Sequence, residues 1–424
     1  MNKPIFLDKN FYTKENLSHK SFQLLRFFFM AYILLLPIGR APRELATAGC
    51  IISLIVYYAT SYRQSNLFRY KLKYILFLFC AYIIANSLFL TINIDLSAKT
   101  SISGVFKGII FLLAGMEFVR QISDIKKLVI VYAITAFYEG LDGIYQFIYG
   151  HDFIRSTAAW GERLTGSLIT PRVGNLMSLL APIALGIYFI TKKHVSFFKN
   201  TIIFAILIFP SIFLLYGSKT RSGWAGFIFS IIALLYITNT VKLKKIIIIS
   251  VIFFAAVTSL PGRANLETIM SDARFELWET SFNVFKQFPL TGSGFNTFED
   301  AYDKMGIIHE KSVNMPHPHN VYMQFLAEGG IVGFGLLLAF FFGNLIWTGR
   351  QIKALLQSDC HNFIYIAFFW ASYAGYLATA ITGHSFFRLW WLGMGMGVLG
   401  VTLGGSLLLP EAKGKKLADA LKSI

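Results

Sequence analysis

Apolar stretches separated by short polar segments recur along the whole chain, at 22–39, 44–61, 72–92, 103–118, 128–149, 174–191, 199–216, 222–238, 244–261, 320–347, 362–383 and 389–409. A helix crossing hydrocarbon needs about 20 mostly apolar residues, somewhat fewer inside a bundle. The pattern therefore predicts an all-α polytopic integral membrane protein with about twelve transmembrane helices, a single membrane domain over 1–424. The fourth stretch is interrupted near one end by Lys107. A large loop is expected at 262–319, between the ninth and tenth helices, and a smaller one at 150–173. Loops as long as the first are usually functional or structured. Within it Leu266, Met270, Ala273, Leu277, Val284 and Phe288 fall at helical spacing. This predicts an amphipathic helix over 264–288, stopped by Pro289 and covering the bundle. The following PLTGSGFNTFED (289–300) is a Gly-rich turn of the kind that lets backbone approach a ligand.

Composition agrees with this pattern. Of the 424 residues 55% are hydrophobic and only 14% charged, against about 25% charged in globular proteins. The net charge of +17 raises the question of nucleic acid, and its distribution answers it. Lys and Arg concentrate in alternate connections, 63–73, 120–127, 191–200, 241–245 and 349–353, together with the N-terminal segment and 411–416. Short basic loops face the cytoplasm, and an even number of spans puts both termini there. The charge is topology, so no nucleic-acid partner is expected. Residues 1–20 are polar and Lys-rich, without the apolar core of a cleavable signal. Cys50, Cys80 and Cys360 form neither a metal spacing nor a disulfide framework.

The opposite set of loops keeps Arg163, Arg172, Arg221 and Arg274, where positive charge is normally thinned out. Guanidinium holds phosphate bidentately and stays charged, which suits a bound pyrophosphate. The stretch NMPHPHNVYMQFLAEGGIVG (314–333) brings His317 and His319 to the first turn of a membrane helix, at the water boundary. Among arginines a histidine is biased neutral, as a base must be. Plainer readings stand beside these. His319 can be a helix-end residue bonded to backbone, Arg221 a snorkelling anchor, and Arg163, Arg172 and Arg274 surface charges. His309, Glu310, His317 and His319 can form a metal site, although an Arg-rich phosphate site needs no dedicated metal. Glu139, Asp142 and Gln146 share one face of the fifth span. Intramembrane acids are functional candidates, but pairing with arginine or lining a wet cleft is the favoured role.

The residues also match a known pattern. HNVYMQFLAEGGIVG (319–333) is His-Asn, nine residues, then Gly330-x-x-Gly333, following a long loop and opening a span. With KTRSGWAGF (219–227), ARFELWETSFNVFKQFPLTGSGFNTF (273–298) and RLTGSLITPRVGN (163–175), it resembles the bacterial O-antigen ligase and polymerase superfamily over roughly 160–340. Within it the chain is most similar to O-antigen ligases. That resemblance implies a C-type glycosyltransferase (GT-C-like) architecture in the bacterial inner membrane, among membrane lipids, with the active site facing the periplasm. It implies metal-independent, inverting transfer of O-polysaccharide from undecaprenyl diphosphate to a sugar hydroxyl of lipid A–core oligosaccharide, with no cofactor. Carried onto this chain, His319 matches the general base, Arg221 and Arg274 the diphosphate-holding arginines, and either Arg163 or Arg172 a third; Asn320 and His317 are supporting candidates. The alternatives are an O-antigen polymerase and, from another class, a lipid-linked glycan flippase. A flippase calls for polarity through both membrane halves and internal repeats, and none is evident.

Overall fold

A computed structural model describes residues 14–192, 195–241, 245, 274–307 and 315–408. Among these the chain is helical, with no β-strand. Helices α1 (Lys14–Leu35), α2 (Arg40–Ser61), the short α3 (Asn66–Arg69), α4 (Lys73–Phe89), α5 (Ile94–Phe118) and α6 (Ile122–Tyr149) come first. Helices α7 (Val173–Ala184), α8 (Ile187–Thr191), α9 (Phe197–Gly217) and α10 (Arg221–Ile237) follow. After residues outside the description come α11 (Arg274–Gln287), α12 (Phe298–Lys304), α13 (Val321–Thr379) and α14 (Leu389–Ser406). Seven helical segments among the described residues are long and apolar enough to cross a membrane, and α4 and α10 are shorter apolar helices. The chain is a multi-pass membrane protein. The predicted ninth span, 244–261, lies outside the described residues apart from 245.

Boundaries differ from the hydropathy reading in instructive places. The fourth span reaches back to Ile94, where the Asn93 side chain caps it by accepting the Leu96 N–H (3.2 Å), and Lys107 within it is paired with Glu44 at 2.7 Å. The sixth divides at Leu185 and Gly186 into α7 and α8. Helix α13 runs for 59 residues but leaves helical geometry at Gly330 (φ 61°, ψ −166°) and Asp359 (φ −159°, ψ 87°). At 1.5 Å per residue a straight helix of that length would be far too long for one bilayer. Instead it folds back at Asp359. The Val321 N–H donates to the Ala380 carbonyl (2.9 Å) and the Trp370 indole to the Leu345 carbonyl (2.9 Å), an antiparallel pairing. Two predicted spans thus become one hairpin.

Helices in lipid associate by close packing of small residues, and this sets the site. A Cβ on Gly223 of α10 would stand 2.6 Å from the Gly174 carbonyl carbon of α7. Gly226 of α10 likewise backs directly onto Gly375 of α13. The start of α10 is therefore clasped between α7 and the end of α13.

Loops segregate to opposite ends. At one end α1 holds Ser61 through Ser18, and Arg120 donates to the Gln64 carbonyl (3.2 Å). At the other, the residues after α1 accept from the 150–173 loop: the Arg155 Nε donates to the Ile38 carbonyl at 2.9 Å and the Ser167 hydroxyl to Pro37 at 3.1 Å. Most of the loops that carry the predicted arginines meet at this second end.

Candidate active site

Side chains of α6 tie down the 150–173 loop. Gln146 accepts the Thr165 and Gly166 N–H groups (2.8 and 3.1 Å), the Ser167 hydroxyl donates to Glu139 (2.5 Å), and Asp142 accepts the Phe153 N–H (2.6 Å). These bonds run to loop backbone and a serine hydroxyl rather than to an arginine, so the three side chains position the loop, a role the favoured expectation of arginine pairing or a wet cleft did not include. The anchored loop presents Arg163, whose guanidinium donates to the Ser218 carbonyl and the Thr220 hydroxyl, both at 3.0 Å. Arg172 follows at the N-cap of α7. On the facing side, α11, described from Arg274 onward, buries Leu277 and Val284, as the apolar spacing predicted, and it ends before Pro289. Its Trp278 indole donates to the Pro318 carbonyl (3.2 Å), bracing the helix against the histidine segment. Residues 264–273 of the predicted helix lie outside the described residues.

His319 is not in the first turn of a helix, as expected, but one residue before the N-cap. Asn320 is the cap, its side chain accepting the Tyr322 and Met323 N–H groups at 2.9 and 3.1 Å. This engages the Asn320 side-chain oxygen at the helix end. His319 has φ 52°, and its N–H donates to Nδ1 of His317 (3.2 Å). His317 is buried, which pushes its pKa down to about 3, with the neighbouring His319 acting in the same direction. Its Nδ1 is thereby kept as an acceptor. Among the described residues, six non-glycine positions have positive φ, and three of them, Ile169, Lys219 and His319, lie in segments that border one cavity. Such backbone clusters at sites where the surrounding fold over-determines it.

That cavity, about 430 Å³, is lined by Arg163, Arg172, Arg274 and His319, with Thr382 and Arg388 among the other contributors. Four of the predicted residues thus converge from three separate parts of the sequence. Arg221 opens α10 between Thr220 and Ser222, which line the cavity, while its own side chain does not. The Gly-rich turn 289–300 does not line the cavity. Its backbone approaches protein instead of ligand: Gly292 and Gly330 are packed against each other, and the Ser293 and Gly294 N–H groups donate to the Ala327 and Glu328 carbonyls (both 3.0 Å).

Sequence reasoning missed a buried chain that runs back from the cavity wall. The Ser222 hydroxyl donates to Asn175 Oδ1 (2.8 Å), and Asn175 Nδ2 meets His384 Nε2 (2.6 Å). Burial, reinforced by His317, His319 and Arg274, holds His384 well below the ordinary histidine range. The only hint in the sequence was GHSFFR (383–388) between two apolar stretches. Among the described residues no three His, Cys, Asp or Glu side chains gather as metal ligands. His309 and Glu310 lie outside the described residues.

Chemically, the cavity joins a titratable imidazole to several fixed cations at a bundle end. It suits an anion and a proton transfer beside it. Residues 204–338 match a family model described as O-antigen ligase, a segment that contains Arg221, Arg274, His317 and His319. A curated protein of Haemophilus influenzae, described as an uncharacterized protein, is 26% identical over 217 residues. The similarity covers 45% of this chain and 54% of that protein, so the chain spans about half the length of the curated relative it matches.

Proposed function

We propose that this chain, whose residues 204–338 carry the O-antigen ligase domain of the ligase/polymerase superfamily, is the ligase of lipopolysaccharide assembly in a bacterial inner membrane. In this reading it has about twelve spans, a GT-C-like architecture, and a cavity that opens to the periplasm. The observation that carries the reading is the meeting of His319 with Arg163, Arg172 and Arg274 in one cavity. The donor is an O-polysaccharide on undecaprenyl diphosphate and the acceptor a sugar hydroxyl of lipid A–core oligosaccharide. The acceptor oxygen bonds to the anomeric carbon from the face opposite the diphosphate, so the centre inverts as the anomeric C–O bond breaks. The hydroxyl proton passes to the imidazole of His319, and the electron pair leaves with the diphosphate, whose charge the arginines neutralise. A lipid diphosphate is already activated, so no nucleotide is needed.

General-base assistance is typically worth about 10²–10⁴-fold in rate, and preorganised charge at a leaving group about 10²–10³-fold per donor. The test is a gene deletion in a strain that makes long O-polysaccharide, complemented with variants at matched protein levels. Because His319 has positive φ, His319→Asn is the informative substitution, since Asn tolerates that backbone and cannot serve as the base. Wild type is expected to restore polymer on lipopolysaccharide. His319→Asn and Arg274→Gln are expected to leave it on the lipid carrier. Full rescue by His319→Asn would remove the general base from the mechanism. Lipopolysaccharide bearing a single repeat unit in the deletion strain would make the protein a polymerase, and failure of any linked glycan to reach the outer face would make it a transporter.

A further inference from the structure

Arg388 stands out among the cavity's cations. It lines the same cavity as His319 and Arg274, yet it belongs to the segment after α13, outside residues 204–338. Its backbone is held firmly. The Phe386 N–H donates to Gln324 Oε1 (2.8 Å), and Gln324 Nε2 in turn donates to Glu328 (2.8 Å). The Arg388 N–H donates to the Ser385 carbonyl (3.2 Å), its carbonyl accepts the Leu392 N–H (2.9 Å) as α14 begins, and the buried Phe386 packs against Phe79 of α4 and Phe325 of α13 while the buried Phe387 packs against Phe295. Its guanidinium, by contrast, has neither a hydrogen bond nor an ion pair among the described residues, and burial lowers its pKa. Arg163, which lines the same cavity, already spends donors on Ser218 and Thr220.

An arginine fixed at its base, half-buried beside the cavity and unbonded at its tip carries a desolvation cost on its charge. An anion offsets that cost, because a guanidinium offers five donors in a planar fork matched to phosphate oxygens. We propose that Arg388 is a further diphosphate-binding residue, gripping the lipid diphosphate bidentately from the start of α14, in the cavity that Arg163 also lines. The inference rests on the ligase reading only in taking the anion to be a polyprenyl diphosphate.

The test uses the full chain purified in nanodiscs and farnesyl diphosphate as the probe, with affinity read by microscale thermophoresis. Charge-assisted hydrogen bonds are worth enough that Arg388→Gln is expected to weaken binding by roughly ten- to a hundredfold. Arg388→Lys keeps the charge but not the fork and is expected to fall several-fold below wild type. Wild-type affinity in Arg388→Gln overturns the assignment and leaves the ligase reading untouched. No binding by the wild type itself overturns both. If Arg388→Gln does not give monodisperse protein, Arg388→Lys decides alone: a several-fold loss supports the bidentate grip, and unchanged affinity overturns it.

Discussion

At the scale of residues, the site turns on how His319 is held. Its N–H is bonded to His317 Nδ1, and that bond exists only while His317 is neutral. The folded pKa of His317, about 3, lies below the ordinary value of 6.5. The unfolded chain therefore binds more protons between those two pH values, so acid favours unfolding. Stability attributable to this residue is full above pH 6.5 and drains away as pH falls toward 3. His384, depressed in the same direction, adds to the slope. Thermal melts between pH 7.5 and 5 are expected to show a falling Tm, with a shallower fall in His317→Asn, whose side-chain oxygen can accept the same N–H. An equally steep fall in that variant would mean the proton uptake lies elsewhere. His317→Asn is also expected to retain most transfer activity, and His317→Ala to lose it, because only the first keeps the acceptor that holds His319.

At the scale of elements, glycines decide which helix geometry is possible, and they do so unequally. Gly330 breaks α13 at φ 61° with Leu290 and Gly292 backbone where a Cβ would go, while Gly335 and Gly343 of the same helix face open space. Gly330→Ala adds a steric clash to a backbone conformation that alone costs an L-residue about 1–2 kcal/mol. It is expected to lower Tm and impair transfer, since the displaced turn carries α11 and with it Arg274. Gly335→Ala should be neutral or stabilising by up to about 1 kcal/mol. Equal Tm values for the two variants would show that the contact between the turn and α13 is not needed for folding. This contrast also marks what the sequence could reveal. Residue type and position at span ends were enough to single out His319, Arg163, Arg172 and Arg274, because chemistry and topology are local signals. The extent of α13, its return at Asp359 and the engagement of the Gly-rich turn by protein rather than ligand depend on which helices touch. Ser222, Asn175 and His384 come from three distant segments, and no periodicity along the chain links them.

At the scale of the molecule, the proposed ligase reaction depends on sidedness. It requires the arginine cavity on the face where finished polysaccharide is delivered, and the basic connections on the other. Hydrophobicity alone gives the helices without their direction; the asymmetry of Lys and Arg supplies it. The fold offers a native reporter. Cys360 is exposed beside the turn of the α13 hairpin, close to the basic 349–353 segment, whereas Cys50 is buried. Trp160, on the cavity rim, is 65% exposed at the other end. A membrane-impermeant maleimide is therefore expected to label Cys360 in inverted vesicles and not in intact spheroplasts. In a Cys360→Ser background, Trp160→Cys should give the reverse, with labelling of Cys80 separated by peptide mass. Labelling of both positions from one side would break the even span count, and with it the argument that puts both termini in the cytoplasm. A consistent reversal of both would leave the fold intact but move the cavity to the cytoplasmic face. A ligase acting on exported glycan could not work there, so the same labelling pattern tests the topology and the proposed reaction together.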